Sequence, residues 1–126
     1  MTQSPGHRKW PEHKVEEKPM DDPVQVLING TVVAESSGAI ELDEDRHPAR
    51  IYIPRADVRM DCFEQSRKTT KCPFKGEADY FDFKSSGQSL EEVAWSYEEP
   101  FDEHQALKDM IAFHDEQPEI EVRRAR

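Results

Sequence analysis

An Asn-Gly pair between two runs of β-forming residues constrains the fold of this chain more than any other feature. Val24, Val26 and Ile28 alternate with Gln25, Leu27 and Asn29, Gly30 follows, and β-branched residues resume at Thr31. Asn-Gly is the strongest short-range signal for a two-residue hairpin turn, because both positions tolerate positive φ. The sequence therefore predicts an antiparallel hairpin, with order beginning at Pro23.

Further short alternating runs follow, and each is bounded by turn residues. They lie at residues 40–42, 51–53, 78–83, 93–97 and 120–122, with turns at Ser36–Gly38 and Ser85–Gly87. Asp102, with Gln105 three residues later, resembles the start of a helix. The pattern predicts a mostly β fold, α+β at most: a single small domain of short antiparallel strands with one short helix near Glu103–Asp109.

Composition shifts give the expected boundaries. Residues 1–22 are polar, contain three prolines and carry mixed charge. Such a segment buries little apolar surface, so it predicts a flexible N-terminal arm. Trp10 leaves open whether this arm packs on the domain or is a loose tail. The β-rich domain then spans residues 23–122, and residues 123–126 form a basic C-terminal end.

The formal net charge is −10, from 27 acidic and 17 basic residues. An acidic surface argues against binding to duplex nucleic acid, because phosphates require lysine and arginine. No apolar run suggests a signal peptide or a membrane span, so we expect a cytoplasmic protein without a membrane partner. Cys62 and Cys72 are then expected to be reduced. No CxxC pair or histidine spacing indicates a metal, and no cofactor is expected.

The stretch from Thr70 to Tyr80 combines a thiol, an ammonium group and a glycine. Cys72-Pro73 precedes Lys75-Gly76, and a strand follows. Pro73 has a fixed φ and Gly76 accepts backbone angles that other residues avoid, so a tight turn is predicted here. Such a turn presents Cys72 and Lys75 side by side.

Two further sets of residues suggest a binding site. Arg55 and Asp57 follow a short strand and lie two residues apart, so in an extended chain they face the same side. They form either a structural ion pair or a joint contact to a ligand. The aromatic residues Tyr52, Trp95 and Tyr97 suit either a core or a pocket wall. The charged run from Glu41 to Arg46 is predicted to be a solvated loop, because its spacing matches no EF-hand.

Together these residues predict a pocket for a small polar or anionic ligand, such as an anionic metabolite. Its predicted ligand-binding residues are Tyr52, Arg55, Asp57, Cys72, Lys75, Trp95 and Tyr97. Two alternatives remain open. In one, the domain is a structural or partner-binding module without a small ligand. In the other, it is an enzyme with Cys72 as nucleophile, whose thiol pKa Lys75 would lower. No histidine lies near Cys72 in sequence to act as a general base.

Several motifs in order resemble the domain of unknown function family 427. They are Gly30–Ser36, Tyr52–Val58, Thr70–Tyr80, Ala94–Pro100 and Ile111–Phe113, within a resemblance covering roughly Val24 to Val122. The resemblance implies a small, mostly β domain similar to β-tent folds. Phe74 and His114 stand where the family often has tyrosine.

The same family has also been labelled nucleotidyltransferase-like. Such transferases need a Gly-Ser turn followed by paired carboxylates that hold metal. Here Ser37-Gly38 has the reverse order, and Glu41 and Asp43 lie on a strand with a surface pattern. The residues therefore do not favour transferase activity.

Overall fold

Two antiparallel β-sheets form the protein. The computed structural model describes residues 3–85 and 87–124. In this part of the chain the elements are α1 (Pro5–Lys9), β1 (Val15–Pro19), β2 (Val24–Ile28), β3 (Thr31–Ser36), β4 (Ile40–Glu44), β5 (Arg50–Pro54), β6 (Phe63–Cys72), β7 (Gly76–Ser85), β8 (Gln88–Ser96), β9 (Met110–Phe113) and β10 (Ile120–Arg124). Three short 3-10 helices lie at Arg55–Asp57, Met60–Cys62 and Asp102–Leu107.

The larger sheet has seven strands in the order β1-β4-β5-β9-β8-β7-β6, and it forms a half-barrel. The smaller sheet has the order β10-β2-β3. The predicted hairpin is present as β2 and β3, with Asn29 at φ 50° and Gly30 at φ 82° in its turn. The mostly β prediction is confirmed.

One core lies between the two sheets. The smaller sheet contributes Val24, Val26, Ile28 and Val33, and the larger sheet contributes Ile53, Phe81, Ala94, Ile111 and Phe113, all buried. Burial of these side chains from water is the main force that holds the sheets together. Phe113 lies near the centre of this layer, with its ring 5.9 Å from that of Phe63.

The other face of the seven-stranded sheet is concave and aromatic. Strand register places Tyr52, Ala112, Trp95 and Tyr80 in one cross-strand row. Because side chains alternate between faces, their neighbours Ile53, Ile111 and Phe81 enter the core between the sheets instead. The small Ala112 leaves room for Trp95 and Tyr52 to meet across it.

The N-terminal segment differs from the arm predicted over residues 1–22. Strand β1 pairs with β4 along its full length, from Val15 opposite Glu44 to Pro19 opposite Ile40. Val15 is buried on the concave side. Hydrophobic patterning did not predict this strand, because an edge strand buries one face at most and four of its five residues are charged or proline.

The segment before β1 packs on the turn between β6 and β7. Pro73 carbonyl oxygen accepts hydrogen bonds from the Gly6 amide at 2.7 Å and from Ser4 Oγ at 2.6 Å. Ser4 also caps α1 by accepting from the His7 amide. These contacts hold the chain before β1 against the β6–β7 turn, the turn that was predicted from Pro73 and Gly76.

Substituting Gly6 by alanine is expected to detach this segment, because a Cβ there would lie 2.7 Å from the Pro73 oxygen. The obstacle is backbone, so relief requires the segment to move. We expect a loss of about 1–3 kcal/mol in the free energy of unfolding. Gly38→Ala is the matched control, since its Cβ would make only ordinary contacts, with Pro54 Cγ at 3.5 Å and Ser36 Oγ at 3.7 Å. Urea denaturation of both variants measures the difference, and equal midpoints would contradict the prediction.

The predicted helix near Glu103–Asp109 is present as the 3-10 helix Asp102–Leu107, with a kink at His104. It ends because Lys108 is extended and Asp109 has a φ of 59°, which turns the chain into β9. In the part of the chain that the structure describes, no helix is long and apolar enough to cross a membrane.

Candidate functional site

An open cleft of about 440 Å³ lies on the concave face of the seven-stranded sheet. Aromatic rings and cationic groups dominate its lining, which consists of Leu42, Glu44, His47, Pro48, Arg50, Tyr52, Lys71, Cys72, Pro73, Phe74, Lys75, Tyr80, Trp95, Tyr97 and His114. Five of the seven predicted site residues are therefore brought together here. They are Tyr52, Cys72, Lys75, Trp95 and Tyr97.

The turn between β6 and β7 delivers Cys72 and Lys75 to the cleft. Cys72 pairs with Gly76 across the turn, and the Phe101 amide donates to the Lys75 carbonyl at 2.9 Å. Gly76 has a φ of 132° and lies against the Glu99 carbonyl, where a Cβ would be 3.2 Å away. Glycine is required at this position, since its φ is unfavourable for residues with a side chain.

Lys75 and Glu44 form an ion pair in the wall of the cleft. Lys75 Nζ donates to Glu44 Oε1 at 2.7 Å, and His13 Nε2 lies 2.9 Å from Glu44 Oε2. Burial tends to raise the pKa of Glu44, but the hydrogen bonds from Lys75 and His13 outweigh it, so the pKa is lowered. Lys75 Nζ also lies 5.8 Å from the centre of the Tyr97 ring.

Two buried tyrosines line the floor. Trp95 Nε1 donates to the Tyr52 hydroxyl at 3.1 Å, which leaves the Tyr52 proton available for an acceptor. Tyr97 is only 6% exposed; none of the described residues hydrogen-bonds its hydroxyl, which is nevertheless not one of the atoms buried away from solvent. Burial raises the pKa of both phenols above the ordinary value of 10. Both therefore remain protonated donors at neutral pH.

Arg50 and His114 form the opposite side of the cleft. The Arg50 guanidinium lies 5.1 Å from the Trp95 ring centre and pairs with Asp115 at 3.0 Å and with Glu116 at 2.8 Å. The hydrogen bond from Arg50 lowers the pKa of Glu116 to about 2. His114 packs on Trp95 with ring centres 4.4 Å apart, and burial lowers its pKa.

Arg55 and Asp57, the other two predicted site residues, do not line this cleft. Arg55 Nη2 pairs with Glu98 at 3.0 Å and its guanidinium lies 5.4 Å from the Phe81 ring centre. Asp57 accepts a hydrogen bond from Ser36 Oγ at 2.6 Å. The expected common direction fails because residues 55–57 form a 3-10 helix, in which positions two apart diverge, instead of an extended chain.

Sequence reasoning missed Glu44, which it assigned to a solvated loop. Residues 40–44 are strand β4, and the alternation of Ile40 and Leu42 continues to Glu44 on the concave side. Extending that alternation by one step would have found it. The same alternation places Glu41 and Asp43 on the opposite face. There Asp43 pairs with Lys18 and Glu41 with Arg124, in place of the paired metal carboxylates of a transferase.

Cys72 and Cys62 are both free cysteines. Cys72 lies in the cleft wall, and no side chain of residues 3–85 and 87–124 hydrogen-bonds its sulfur. Within the same residues no group of three or more histidine, cysteine or carboxylate side chains is arranged to hold a metal. A nucleophilic Cys72 therefore still lacks an aligned base.

A larger open groove of about 1020 Å³ lies beside the cleft and shares Lys71, Cys72 and Pro73 with it. Four carboxylates line it, from Glu77, Asp79, Glu98 and Glu99. Phe101 supplies its one aromatic ring among the lining residues. The smaller cleft is the better candidate site, because ligand pockets combine apolar walls with a few convergent polar groups.

A chain of hydrogen bonds connects the N-terminal segment to the 3-10 helix behind the turn. Glu17 Oε1 lies 2.6 Å from Nδ1 of the buried His104, and His104 Nε2 lies 2.8 Å from His7 Nε2. A bond between the two Nε2 atoms requires one ring to donate and the other to accept. Burial, followed by the proximity of His104, lowers the pKa of His7.

Acidification is expected to destabilise the protein through His7. Its pKa is 6.5 when unfolded and lower when folded, so below pH 6.5 the unfolded chain binds more protons. Unfolding free energy should therefore fall as pH drops from 7 to 5.5. His7→Gln should flatten this dependence in urea denaturation at each pH. His114, whose pKa is also lowered, keeps a residual slope. An unchanged slope in His7→Gln would contradict the prediction.

The two packed antiparallel sheets and the aromatic cleft define a small, single-domain, mostly β protein. The chain belongs to the family described as Domain of unknown function (DUF427), whose model matches residues 16–124. This match includes β1 and every strand that lines the cleft. No curated protein matches the chain significantly.

Proposed function

We propose that this domain binds a small polar or anionic ligand in the concave cleft. The observation that carries this proposal is the Tyr97 hydroxyl, which belongs to a residue of the cleft lining, has no hydrogen-bond partner among the described residues and is not closed off from solvent. A bound acceptor can take the hydrogen bond that such a hydroxyl otherwise makes to water. Its neighbour Tyr52 offers a second donor.

The rest of the lining supports the same proposal. Tyr80, Trp95 and Phe74 provide apolar surface, while Lys75 and Arg50 provide charged donors. Small-molecule sites have this combination of mostly aromatic walls and few polar groups. The ligand's acceptor group is then expected to lie between the tyrosine hydroxyls and the Lys75 ammonium.

A thermal-shift screen of polar and singly charged metabolites tests the proposal, with each hit titrated by calorimetry. Tyr97→Phe removes only the hydroxyl, and we expect it to weaken a genuine hit about tenfold, the effect of losing one buried hydrogen bond. Arg55→Lys is the matched control, because Arg55 lies outside the cleft. It should bind as the unaltered protein does.

Two outcomes would count against this function. A hit that weakens with Arg55→Lys but not with Tyr97→Phe would move the site away from the cleft. A screen without any hit would favour a structural or partner-binding module instead.

A further inference from the structure

We infer that the ligand of the cleft is uncharged and is recognised through one hydrogen-bond acceptor, such as an amide or ketone oxygen, attached to a flat apolar group. This inference rests on the proposed function and narrows its ligand class. It follows from how the cations of the cleft are paired.

Each inward cation already has its own carboxylate. Glu44 lies 2.7 Å from Lys75 Nζ, and both side chains are largely buried. On the opposite side, Asp115 and Glu116 both contact Arg50. An entering anion would face the Glu44 carboxylate at short range, where water screens charge weakly. Asp115 and Glu116 are more exposed and lie outside the lining, and their effect is to neutralise Arg50. The ion pairs therefore oppose a negative ligand even though lysine and arginine line the cleft.

Charges further out point the same way. Lys71 lines the cleft but is exposed, so solvent screens its attraction for an anion. The whole chain has a net charge of −10, which repels anions at long range. A ligand without negative charge avoids both effects, and Arg50, Lys71 and Lys75 in the lining oppose a positive one.

The donors that remain available suit an uncharged acceptor. Tyr52 and Tyr97 present neutral O–H groups, and the Tyr52 oxygen is held by the Trp95 indole. Two phenol donors match the two lone pairs of one carbonyl oxygen. Tyr80, which is partly exposed in the cleft lining, offers apolar surface to a planar ring, because aromatic rings pack well on one another.

Three probes that share a phenyl ring test this inference: benzamide, benzoate and phenyl phosphate. Their dissociation constants are measured by NMR titration, following the Trp95 indole N–H. We expect benzamide to bind about tenfold more tightly than benzoate, and phenyl phosphate to bind weakest, since each added negative charge meets the Glu44 carboxylate. Benzoate or phenyl phosphate binding more tightly than benzamide would overturn the inference while leaving the proposed function intact.

Glu44→Gln provides a second and independent readout. The amide preserves the shape of the side chain but leaves Lys75 without its carboxylate. The preference should then shift toward benzoate by about tenfold relative to benzamide. Glu121→Gln is the matched control, because Glu121 pairs with Arg123 on the smaller sheet, outside the cleft lining. An unchanged preference in Glu44→Gln would also overturn the inference.

Failure of all three probes has a separate meaning. It would overturn the inference that a flat amide is the preferred class. The proposed function would then still be judged by the metabolite screen, whose hits are confirmed through Tyr97→Phe.

Discussion

Replacing Lys75 by methionine is expected to lower the free energy of unfolding by about 3–5 kcal/mol, the cost of breaking a buried ion pair from one side. The side chains of Lys75 and Glu44 are only 12% and 9% exposed. Methionine fills a similar volume, so the loss reports the Glu44 carboxylate left without its ammonium partner. His13 compensates that charge only when protonated. Urea denaturation at pH 7 measures the effect.

A surface pair provides the control for this prediction. Lys68 pairs with Glu92 at a similar distance, 2.9 Å, but the two side chains are 47% and 41% exposed. Lys68→Met should change stability little, because water screens exposed ion pairs. In the double variant Lys75→Met with Glu44→Gln, most of the lost stability should return, since no buried charge remains. Equal losses in Lys75→Met and Lys68→Met would show that burial does not determine the strength of the pair.

Phe113→Ala should cost about 3–5 kcal/mol, the usual range for truncating a buried phenylalanine. Phe113 is 2% exposed and lies in the layer between the two sheets. Truncation of the Phe113 ring leaves a cavity. The strands on both sides can close it only in part, because their hydrogen bonds hold them in place. The free energy of unfolding from urea titration gives the magnitude.

Trp10→Ala is the comparison for Phe113→Ala. Trp10 is also a large aromatic residue, but it is 47% exposed. Its truncation should change stability by less than about 1 kcal/mol, as expected for a side chain that leaves no closed cavity. If Phe113→Ala cost no more than Trp10→Ala, the layer between the sheets would not be the main core.

Local patterns explain how much of the fold could be predicted from the sequence. The Asn29-Gly30 pair is sufficient to predict the β2–β3 hairpin, because few other residue pairs accept the backbone angles of this turn. Local patterns also predicted strands at residues 51–53 and 78–83, which lie in β5 and β7. Both signals act over a few residues and require no knowledge of distant segments.

The parts that sequence reasoning missed depend on distant contacts. The charged run that contains Glu44 is typical of a loop. Glu44 is instead held in the cleft wall by hydrogen bonds with Lys75 and His13, each 31 residues away in the sequence. Strand β1 has too few apolar residues to be predicted from hydrophobic alternation, and its pairing with β4 defines it. Arg55 and Asp57 diverge because they lie in a 3-10 turn instead of an extended chain. After Pro54 the local sequence is compatible with either conformation.

The hydrogen bond from the Gly6 amide to the Pro73 carbonyl has a consequence for measurement. That amide exchanges its proton with solvent only when the N-terminal segment separates from the turn that carries Cys72 and Lys75. The hydrogen–deuterium exchange rate of the Gly6 amide thus reports how often the N-terminal segment releases the turn. This amide lies outside the cleft lining. A ligand that holds Lys75 in place would slow exchange at a backbone position it never touches.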